Sequence, residues 1–356
     1  MSVSGWVQER HPTDRVHLDA AAAGRVSTRV LEIQQEFLAL ETTVGAYVAE
    51  ASVQADLDLG RAALGALVGL SDAFYTDGAG TAFQVLLDAW PLPAGARIGT
   101  IAGEYGGNAR VLRSRAAWRG WTLVQLPTDD LGRVLEVPSD LDLVTFPQVL
   151  SQRGVVQPVS MALESGVPLL LDVAQAAGQT DVPFGAAAYV GTSRKWLCGP
   201  RGVAWGAVSP SVELADPPTL GPANYPGELR RFDSGEPHVA GRLALAHAAR
   251  TWSPALLPVV QAGAAAARVL LEGAGGWSVI EPVDEPSGIT TLTHPSLDPY
   301  SVRAALLEQG YVVSVVPVSR ADDLKQPVLR VSTPAWVTPG DLESLASALD
   351  SLGSPG

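Results

Sequence analysis

Strand-like and helix-like segments alternate through most of this chain, and that alternation restricts its fold more than any other feature. Strand-like runs occur at residues 96–103, 121–127 and 142–147, and a helical pattern at 107–120 separates the first two. A further apolar run at 166–178 is typical of a buried strand that leads into a loop. Strands that are connected through helices pair in parallel. We therefore expect an α/β fold with a largely parallel sheet.

The length of 356 residues suits one large domain together with a smaller one. We expect an N-terminal arm over residues 1–29, a large domain over 30–240 and a small C-terminal domain over 241–356. Pro and Gly cluster at 209–228, which predicts a long irregular surface segment. A long helical pattern follows at 238–274.

Composition and charge exclude several classes of protein. The net charge of -13 leaves no basic stripe for the phosphates of a nucleic acid. The single cysteine, Cys198, excludes an internal disulfide and zinc sites built on two or more cysteines, and the five scattered histidines predict no metal site. Charges interrupt the apolar runs, as Arg268 does, so we expect no membrane-spanning segment; the N-terminus also lacks the apolar core of a signal peptide. A cytoplasmic location fits these features.

The run TDGAGTA at residues 76–82 joins a strand-like segment to the start of a helical pattern. Free backbone N–H groups and the positive end of a helix dipole can hold a phosphate at such a turn. The alternative is an ordinary turn between a strand and a helix. The run is not a Walker loop, because it lacks the Gly-Lys-Ser/Thr ending.

Three charged residues occupy positions that suit an active site. Asp172 ends an apolar strand, where open α/β sheets bind ligands, although a helix cap or an ion pair would also use it. Lys195 is one of only two lysines and follows the next strand; it is either a solvated charge or a Schiff-base nucleophile, a task that arginine cannot perform. Arg330 interrupts an apolar strand, where it would hold a carboxylate or form an internal salt bridge.

The order of these features along the chain resembles that of the fold type I pyridoxal 5′-phosphate enzymes, and within them the aminotransferase class V group. The resemblance implies a large domain with a mostly parallel seven-stranded sheet and a smaller α+β C-terminal domain. It also implies pyridoxal 5′-phosphate as the cofactor and a homodimer with its sites at the interface.

The resemblance further implies a role for individual residues. The segment HLDAAAAG at 17–24 is similar to the family's segment near the substrate and implies substrate contact at Ala21, while Arg330 matches the arginine that holds the substrate's α-carboxylate. Lys195 matches the Schiff-base lysine, which also carries the Cα proton, and Asp172 matches the partner of the pyridine nitrogen. The cofactor-binding residues implied are Ala79, Gly80, Thr81, Tyr105, Gln148, Asp172, Gln175, Thr192, Arg194 and Lys195.

Within that set, the resemblance assigns the phosphate to the N–H groups of the turn, with Thr192 and Arg194. It implies that the Tyr105 ring stacks on the cofactor and that Gln148 and Gln175 lie near its phenolic oxygen. A segment that reaches the neighbouring subunit's phosphate carries Glu236 where the family has Thr, and a carboxylate beside a phosphate is unfavourable.

The sequence also narrows the reaction. A cysteine desulfurase needs a cysteine on the loop before the carboxylate arginine, and residues 314–330 contain none. Cys198 is interpreted as a packing residue.

The whole chain is most similar to the actinobacterial lyases that cleave the C–S bond of hercynylcysteine sulfoxide in ergothioneine biosynthesis. The resemblance implies a β-elimination that gives a sulfenic acid, pyruvate and ammonia. The alternatives are an enzyme like isopenicillin N epimerase or selenocysteine lyase on the same cofactor, and a non-catalytic protein that kept the fold.

Overall fold

A computed structural model describes residues 2–216 and 228–353. The α-helices are α1 (Val3–Gln8), α2 (Thr28–Val44), α3 (Ala46–Ser52), α4 (Gln54–Ala66), α5 (Ala79–Ala89), α6 (Gly106–Arg119), α7 (Val159–Glu164), α8 (Val239–Thr251), α9 (Leu257–Leu271), α10 (Pro299–Glu308) and α11 (Pro339–Gly353). The strands are β1 (Val16–His17), β2 (Phe74–Thr76), β3 (Arg97–Thr100), β4 (Thr122–Gln125), β5 (Leu143–Pro147), β6 (Leu169–Asp172), β7 (Ala188–Thr192), β8 (Ala204–Val208), β9 (Ser278–Val279), β10 (Ile289–Thr293), β11 (Tyr311–Val312), β12 (Ser314–Val316) and β13 (Val328–Ser332).

The central element is a seven-stranded sheet with the order β2-β8-β7-β6-β5-β3-β4. All neighbouring strands from β7 to β4 pair in parallel, and only β8 runs against its neighbours, β2 and β7. The predicted α/β fold with a mostly parallel seven-stranded sheet is therefore confirmed.

Helices cover both faces of this sheet, and β6 shows why its sequence is apolar throughout. Leu169 and Leu171 pack into the core on the side of α4, where Leu57 and Leu64 are also buried. Leu170 points to the opposite face and packs into the core that α5 and α6 complete. A strand with both faces covered cannot alternate between polar and apolar residues, so LLL at 169–171 is what this position requires.

A second, antiparallel sheet with the order β12-β13-β10-β9 forms the C-terminal part, and α9, α10 and α11 contribute to its core. The N-terminal arm joins this part: β1 pairs in parallel with β11, and Leu18 is buried among C-terminal residues. The domain division stays a prediction, and its boundary at 240/241 falls inside α8, which packs against α2 and α4.

Of two expectations about the chain after residue 208, one is wrong and the other is tested only in part. The helical pattern at 238–274 is two helices, α8 and α9, because Ser253 and Pro254 interrupt it; proline has no N–H to continue a helix. Of the predicted irregular segment at 209–228, residues 217–227 lie outside the described residues.

The expectation that no segment could span a membrane was too strict. By length and composition alone, the stretch Pro254–Leu271 is long and apolar enough to do so. Its Arg268 is buried, however, and donates hydrogen bonds to the carbonyls of Glu285, Ser287 and Ile289 at 2.6, 2.6 and 2.9 Å. These are the contacts of a helix that packs inside a protein.

Candidate active site

A cavity of about 240 Å³ opens at the carboxyl ends of the parallel strands. Strands β5, β6 and β7 end there at Pro147, Asp172 and Thr192, all of which line the cavity. Ligands bind at this edge of open α/β sheets because the loops that follow the strands converge there. Of the cofactor-binding residues implied by the sequence, the structure brings to the cavity Ala79, Gly80, Tyr105, Asp172, Gln175, Thr192, Arg194 and Lys195.

Asp172 is buried at the end of β6 and is fixed by two hydrogen bonds. Its Oδ1 accepts a bond of 2.8 Å from the backbone N–H of Ala174, and its Oδ2 accepts one of 2.8 Å from Asn108 Nδ2. Burial raises the pKa of Asp172, while Lys195 and the two donors oppose that rise. Asp172 is thus a rigidly held acceptor in the wall of the cavity.

Asn108 links Asp172 to a second buried carboxyl group, Glu104. Asn108 Nδ2 donates to Glu104 Oε1 at 3.2 Å, and the backbone N–H of Tyr105 donates to the same oxygen at 2.8 Å. Burial and the negative charge of Asp172 raise the pKa of Glu104 to about 8. Glu104 is therefore mostly protonated at neutral pH, so Asp172 has no second full negative charge beside it.

Lys195 lies in the loop after β7 and lines the same cavity as Asp172. Burial of its amine lowers the pKa of Lys195 to about 7; Arg194 and Arg330 act in the same direction, and Asp172 opposes them. A large share of the amine is consequently neutral near pH 7. A neutral amine can attack a carbonyl or accept a proton, whereas an ordinary surface lysine is protonated and can do neither.

The N-terminus of α5 forms an anion-binding end of the cavity. Gly78 is its N-cap residue, and no side chain caps the helix, so the N–H groups of Ala79 and Gly80 are available to a ligand. A Cβ placed on Gly80 would meet nothing within 4 Å, which shows open space beside this turn. Thr81, in contrast, donates its N–H to the carbonyl of Gly78 and does not line the cavity. Arg194 lines the same cavity and supplies a positive charge.

The two glutamines of the sequence prediction are placed differently. Gln148 points away from the cavity, and its Nε2 donates to the carbonyl of Asp181 at 2.6 Å. Residues alternate in direction along β5 and its extension, so Pro147 and Val149 reach the cavity instead. Gln175 lines the cavity, and its Nε2 donates to the carbonyl of Ala21 at 3.0 Å, which ties the N-terminal arm to the site.

Arg330 is buried beside the cavity rather than in its wall. It donates to the carbonyl of Ser151 at 2.9 Å and to Ser314 Oγ at 3.1 Å, and it lies 3.6 Å from Asp19. Burial lowers the pKa of Arg330 to about 10, and Asp19 opposes that change. Ser151 does line the cavity, and its Oγ has no hydrogen-bond partner among the described residues, so a polar ligand atom could complete this end.

Cys198 and Glu236 lie outside the cavity. Cys198 is buried, and burial raises the pKa of its thiol to about 12, although Arg10 opposes that rise. A buried thiol of this kind is unreactive, in agreement with a packing role. Glu236 lines a separate groove together with Tyr47. The described residues contain no cluster of three or more His, Cys, Asp or Glu side chains suited to a metal ion.

Among the cavity residues that the sequence analysis did not assign to the site are the polar residues Asn108, Ser151 and Arg320. Asn108 had a signal, because it lies three residues after Tyr105, whose ring the resemblance implies stacks on the cofactor. Ser151 and Arg320 had none, since each lies outside the strands and α-helices and its distance from the cavity depends on the fold.

Comparisons with known proteins agree with this geometry. No family model matches the chain. A probable hercynylcysteine sulfoxide lyase of Mycobacterium tuberculosis (strain CDC 1551 / Oshkosh) is 37% identical over 370 residues, covering 97% of this chain and 92% of that protein. The chain belongs to the hercynylcysteine sulfoxide lyase family. The resemblance inferred from the sequence is confirmed by this relationship.

Solved structures show that this chain has the fold of cysteine desulfurases. The apo cysteine desulfurase of Thermococcus onnurineus NA1 superposes with a TM-score of 0.84 at 18% identity, covering 99% of this chain and 98% of that one. The cysteine desulfurase CsdA of Escherichia coli gives 0.82 at 17% identity, covering 99% and 98%. The cystine C–S lyase C-DES gives 0.84 at 18% identity, covering 95% and 98%.

Proposed function

We propose that this chain is a pyridoxal phosphate-dependent C–S lyase that cleaves hercynylcysteine sulfoxide by β-elimination, releasing a sulfenic acid, pyruvate and ammonia. The substrate follows from the related lyase, which is 37% identical over nearly the whole chain. The observation that carries the chemistry is the presence of a lysine with a pKa of about 7 and a buried, hydrogen-bonded aspartate in one cavity. That pair suits an amino-acid substrate joined to pyridoxal phosphate.

The residues present fit this cofactor. The uncapped N-terminus of α5 and Arg194 would hold its phosphate, and Asp172 would hold its ring nitrogen. Tyr105 lines the cavity with a ring that would lie against the cofactor's ring. When bound, pyridoxal phosphate supplies an electron sink for negative charge that develops at the Cα atom of an amino acid.

Lys195 would act in two ways. Its neutral amine would bind the cofactor covalently in the resting enzyme, and once released it would accept the Cα proton of the substrate. Its lowered pKa makes both steps possible near neutral pH, because a protonated amine has no lone pair to offer. Arg330 would hold the substrate's carboxylate after exchanging its present partner, Asp19, and would thereby orient the Cα–H bond.

Cysteine desulfurase or selenocysteine lyase-type chemistry is the alternative within this fold. The loop and strand over residues 314–330 contain no cysteine, and Cys198 is buried with a raised pKa. The chain thus offers no thiolate to accept sulfur from a substrate. An epimerase would need the same lysine but would release no pyruvate, so product analysis separates it from a lyase.

We also propose that the protein is a homodimer. Val44, Tyr47 and Val48, at the end of α2 and on α3, are 41%, 89% and 62% exposed, and large apolar side chains exposed together are typical of interfaces. The groove beside them contains Glu236, which lies in the segment that the resemblance implies reaches the neighbouring subunit. A cytoplasmic location stays a prediction.

The first test of the function is an absorbance spectrum of the purified protein and of Lys195→Ala, each followed by addition of hercynylcysteine sulfoxide. We expect the wild type to show the visible band of a lysine-bound pyridoxal phosphate and to release pyruvate. We expect Lys195→Ala to lack that band and to lose pyruvate formation by at least about 1,000-fold, since the acid–base and covalent roles both disappear. A yellow wild-type protein that releases no pyruvate would retain the cofactor and refute the lyase assignment.

A further inference from the structure

Arg320 is a cation at the cavity with no assigned anion. It lines the cavity, and its guanidinium lies over the ring of Tyr105 at 5.4 Å from the ring centroid. Within residues 2–216 and 228–353, no side-chain hydrogen bond or ion pair occupies its guanidinium. A half-buried arginine that stacks on a ring but has no hydrogen-bonding or ionic partner beside a cavity is suited to an anionic ligand group.

The segment that carries Arg320 is held firmly against the large domain. The backbone N–H of Asp322 donates to the carbonyl of Ala102 at 3.0 Å, and the Asp322 carboxylate pairs with Arg113 at 2.8 Å. Asp323 pairs with Arg153 at 3.1 Å. The position of Arg320 is therefore defined by contacts on its C-terminal side and does not require a ligand.

The other cations of the site already have partners in the proposed complex. Arg194 and the N-terminus of α5 suit the cofactor phosphate, and Arg330 suits the substrate's α-carboxylate. Arg320 is near enough to Lys195 and Arg330 to lower the pKa of each, so it belongs to the same electrostatic environment. Arg320 thus remains for a third negative group. It lies toward the opening of the cavity, since its neighbour Tyr105 is 36% exposed whereas Arg330 is only 4% exposed.

We propose that Arg320 binds the sulfoxide oxygen of the substrate and stabilises the sulfenate that leaves when the C–S bond breaks. The inference rests on the proposed function. A substrate whose carboxylate is held at the buried Arg330 extends its side chain toward the opening, where Arg320 lies. The sulfoxide oxygen is the polar atom of that side chain nearest to the breaking bond.

The step balances without any further oxidant or reductant. The Cα–H proton passes to Lys195, the Cβ–S bond breaks, and its electron pair leaves with sulfur as a sulfenate, which takes up one proton to become the sulfenic acid. One water is consumed when the three-carbon fragment is released as pyruvate and ammonia. Negative charge on the oxygen grows as the bond breaks, so a fixed guanidinium there stabilises the transition state more than the bound substrate.

The test compares Arg320→Gln and Arg320→Lys with Arg110→Gln, which removes an exposed charge from α6 outside the cavity. Each protein is assayed with hercynylcysteine sulfoxide and with β-chloro-L-alanine, whose chloride leaves without help. For Arg320→Gln we expect kcat on the sulfoxide to fall about 100-fold, a loss typical of removing one charge-stabilising donor. We expect its kcat on β-chloro-L-alanine to change less than about threefold, Arg320→Lys to recover part of the loss, and Arg110→Gln to behave as wild type on both.

Two binding measurements exclude other roles for Arg320. The first is inhibition by hercynylcysteine, the thioether that lacks the sulfoxide oxygen; we expect Arg320→Gln to leave its inhibition constant unchanged. If Arg320→Gln weakens the binding of hercynylcysteine as much as it weakens the binding of the sulfoxide, Arg320 binds the betaine carboxylate. The proposal would then be wrong. The second is tryptophan fluorescence during titration of the cofactor-free protein with pyridoxal phosphate, where a tenfold weaker Kd would assign Arg320 to the phosphate and also overturn the proposal.

The two proposals can fail separately. A wild-type protein that releases no pyruvate from the sulfoxide refutes the function itself. A wild-type protein that is active, combined with equal losses on both substrates or with no loss in Arg320→Gln, refutes only the role of Arg320.

Discussion

Glu104 and Lys195 show how burial sets protonation in this cavity. Both groups lose water around their charged form, so the pKa of the acid rises to about 8 and that of the amine falls to about 7. Each is therefore shifted toward its neutral form near pH 7. Burial raises the pKa of Asp172 as well, and Lys195 and the two hydrogen bonds to Asp172 oppose that rise. Of the two acids, Asp172 is the one whose anion a neighbouring amine, that of Lys195, stabilises.

The protonation of Glu104 leads to a prediction about stability. In wild type, the folded protein holds one proton more than the unfolded chain between the ordinary pKa of glutamate and about 8, so stability falls as pH rises through this interval. Glu104→Gln has the shape of the protonated acid and removes that titration. We expect the Tm of Glu104→Gln, relative to wild type, to rise by several degrees between about pH 5 and about pH 9, measured by thermal unfolding of the cofactor-free proteins. Parallel pH curves for the two proteins would show that Glu104 is ionised throughout.

Three parts of the site meet at the first turn of helix α6. Tyr105 is its N-cap residue, Asn108 lies in its first turn, and the segment before Asp322 approaches its start. The approach is possible because residue 106 is glycine: an added Cβ would lie 2.6 Å from the carbonyl oxygen of Ser319 and 3.1 Å from that of Arg320. Both obstacles are backbone atoms, which cannot move aside as a flexible side chain can.

Gly106→Ala is therefore expected to displace the segment that carries Arg320. We expect a destabilisation of about 1–3 kcal/mol, typical of overpacking, together with a larger loss of kcat on hercynylcysteine sulfoxide than on β-chloro-L-alanine. Denaturant unfolding and steady-state assays measure the two effects. Gly340→Ala is the control, since its added Cβ would have only Thr338 nearby, at 3.9 Å, and a helical glycine replaced by alanine should be neutral or stabilising. Equal behaviour of the two variants would contradict the close contact.

At the scale of the whole molecule, the site is assembled from parts of the chain that are far apart in sequence. The large sheet supplies Asp172 and Lys195, the C-terminal sheet supplies Arg330, and the arm contributes the Asp19 carboxylate. The arm is attached to the C-terminal part by the pairing of β1 with β11. It is attached to the loop after β6 by the hydrogen bond that Gln175 donates to the carbonyl of Ala21. A homodimer would add a further level of assembly at the surface around α3.

The homodimer is tested with two matched substitutions, because Val48 and Val269 are both 62% exposed. Wild type should have twice the 37.1 kDa chain mass by light scattering after size-exclusion chromatography. We expect Val48→Glu, at the proposed interface, to shift the protein toward monomer, because a charge buried without a partner costs several kcal/mol. Val269→Glu, on α9, should leave the mass unchanged. A monomeric wild type would exclude the dimer outright.

The sequence by itself determined the order of strands and helices, the α/β class, and the residues whose chemical type is unusual for their setting. A lysine in a lysine-poor chain, an acid at the end of an apolar strand and an arginine within a strand are local signals, and Lys195, Asp172 and Arg330 could be found from them. Tertiary structure decided what depends on direction and distance. Strand alternation turned Gln148 away from the cavity, and the fold brought Arg320 to it. Asn108 came to join Glu104, four residues before it, to Asp172 at the end of β6. The contact between Asn108 and Asp172 and the approach of Arg320 arise from the packing of segments remote in sequence, so no local pattern specifies them.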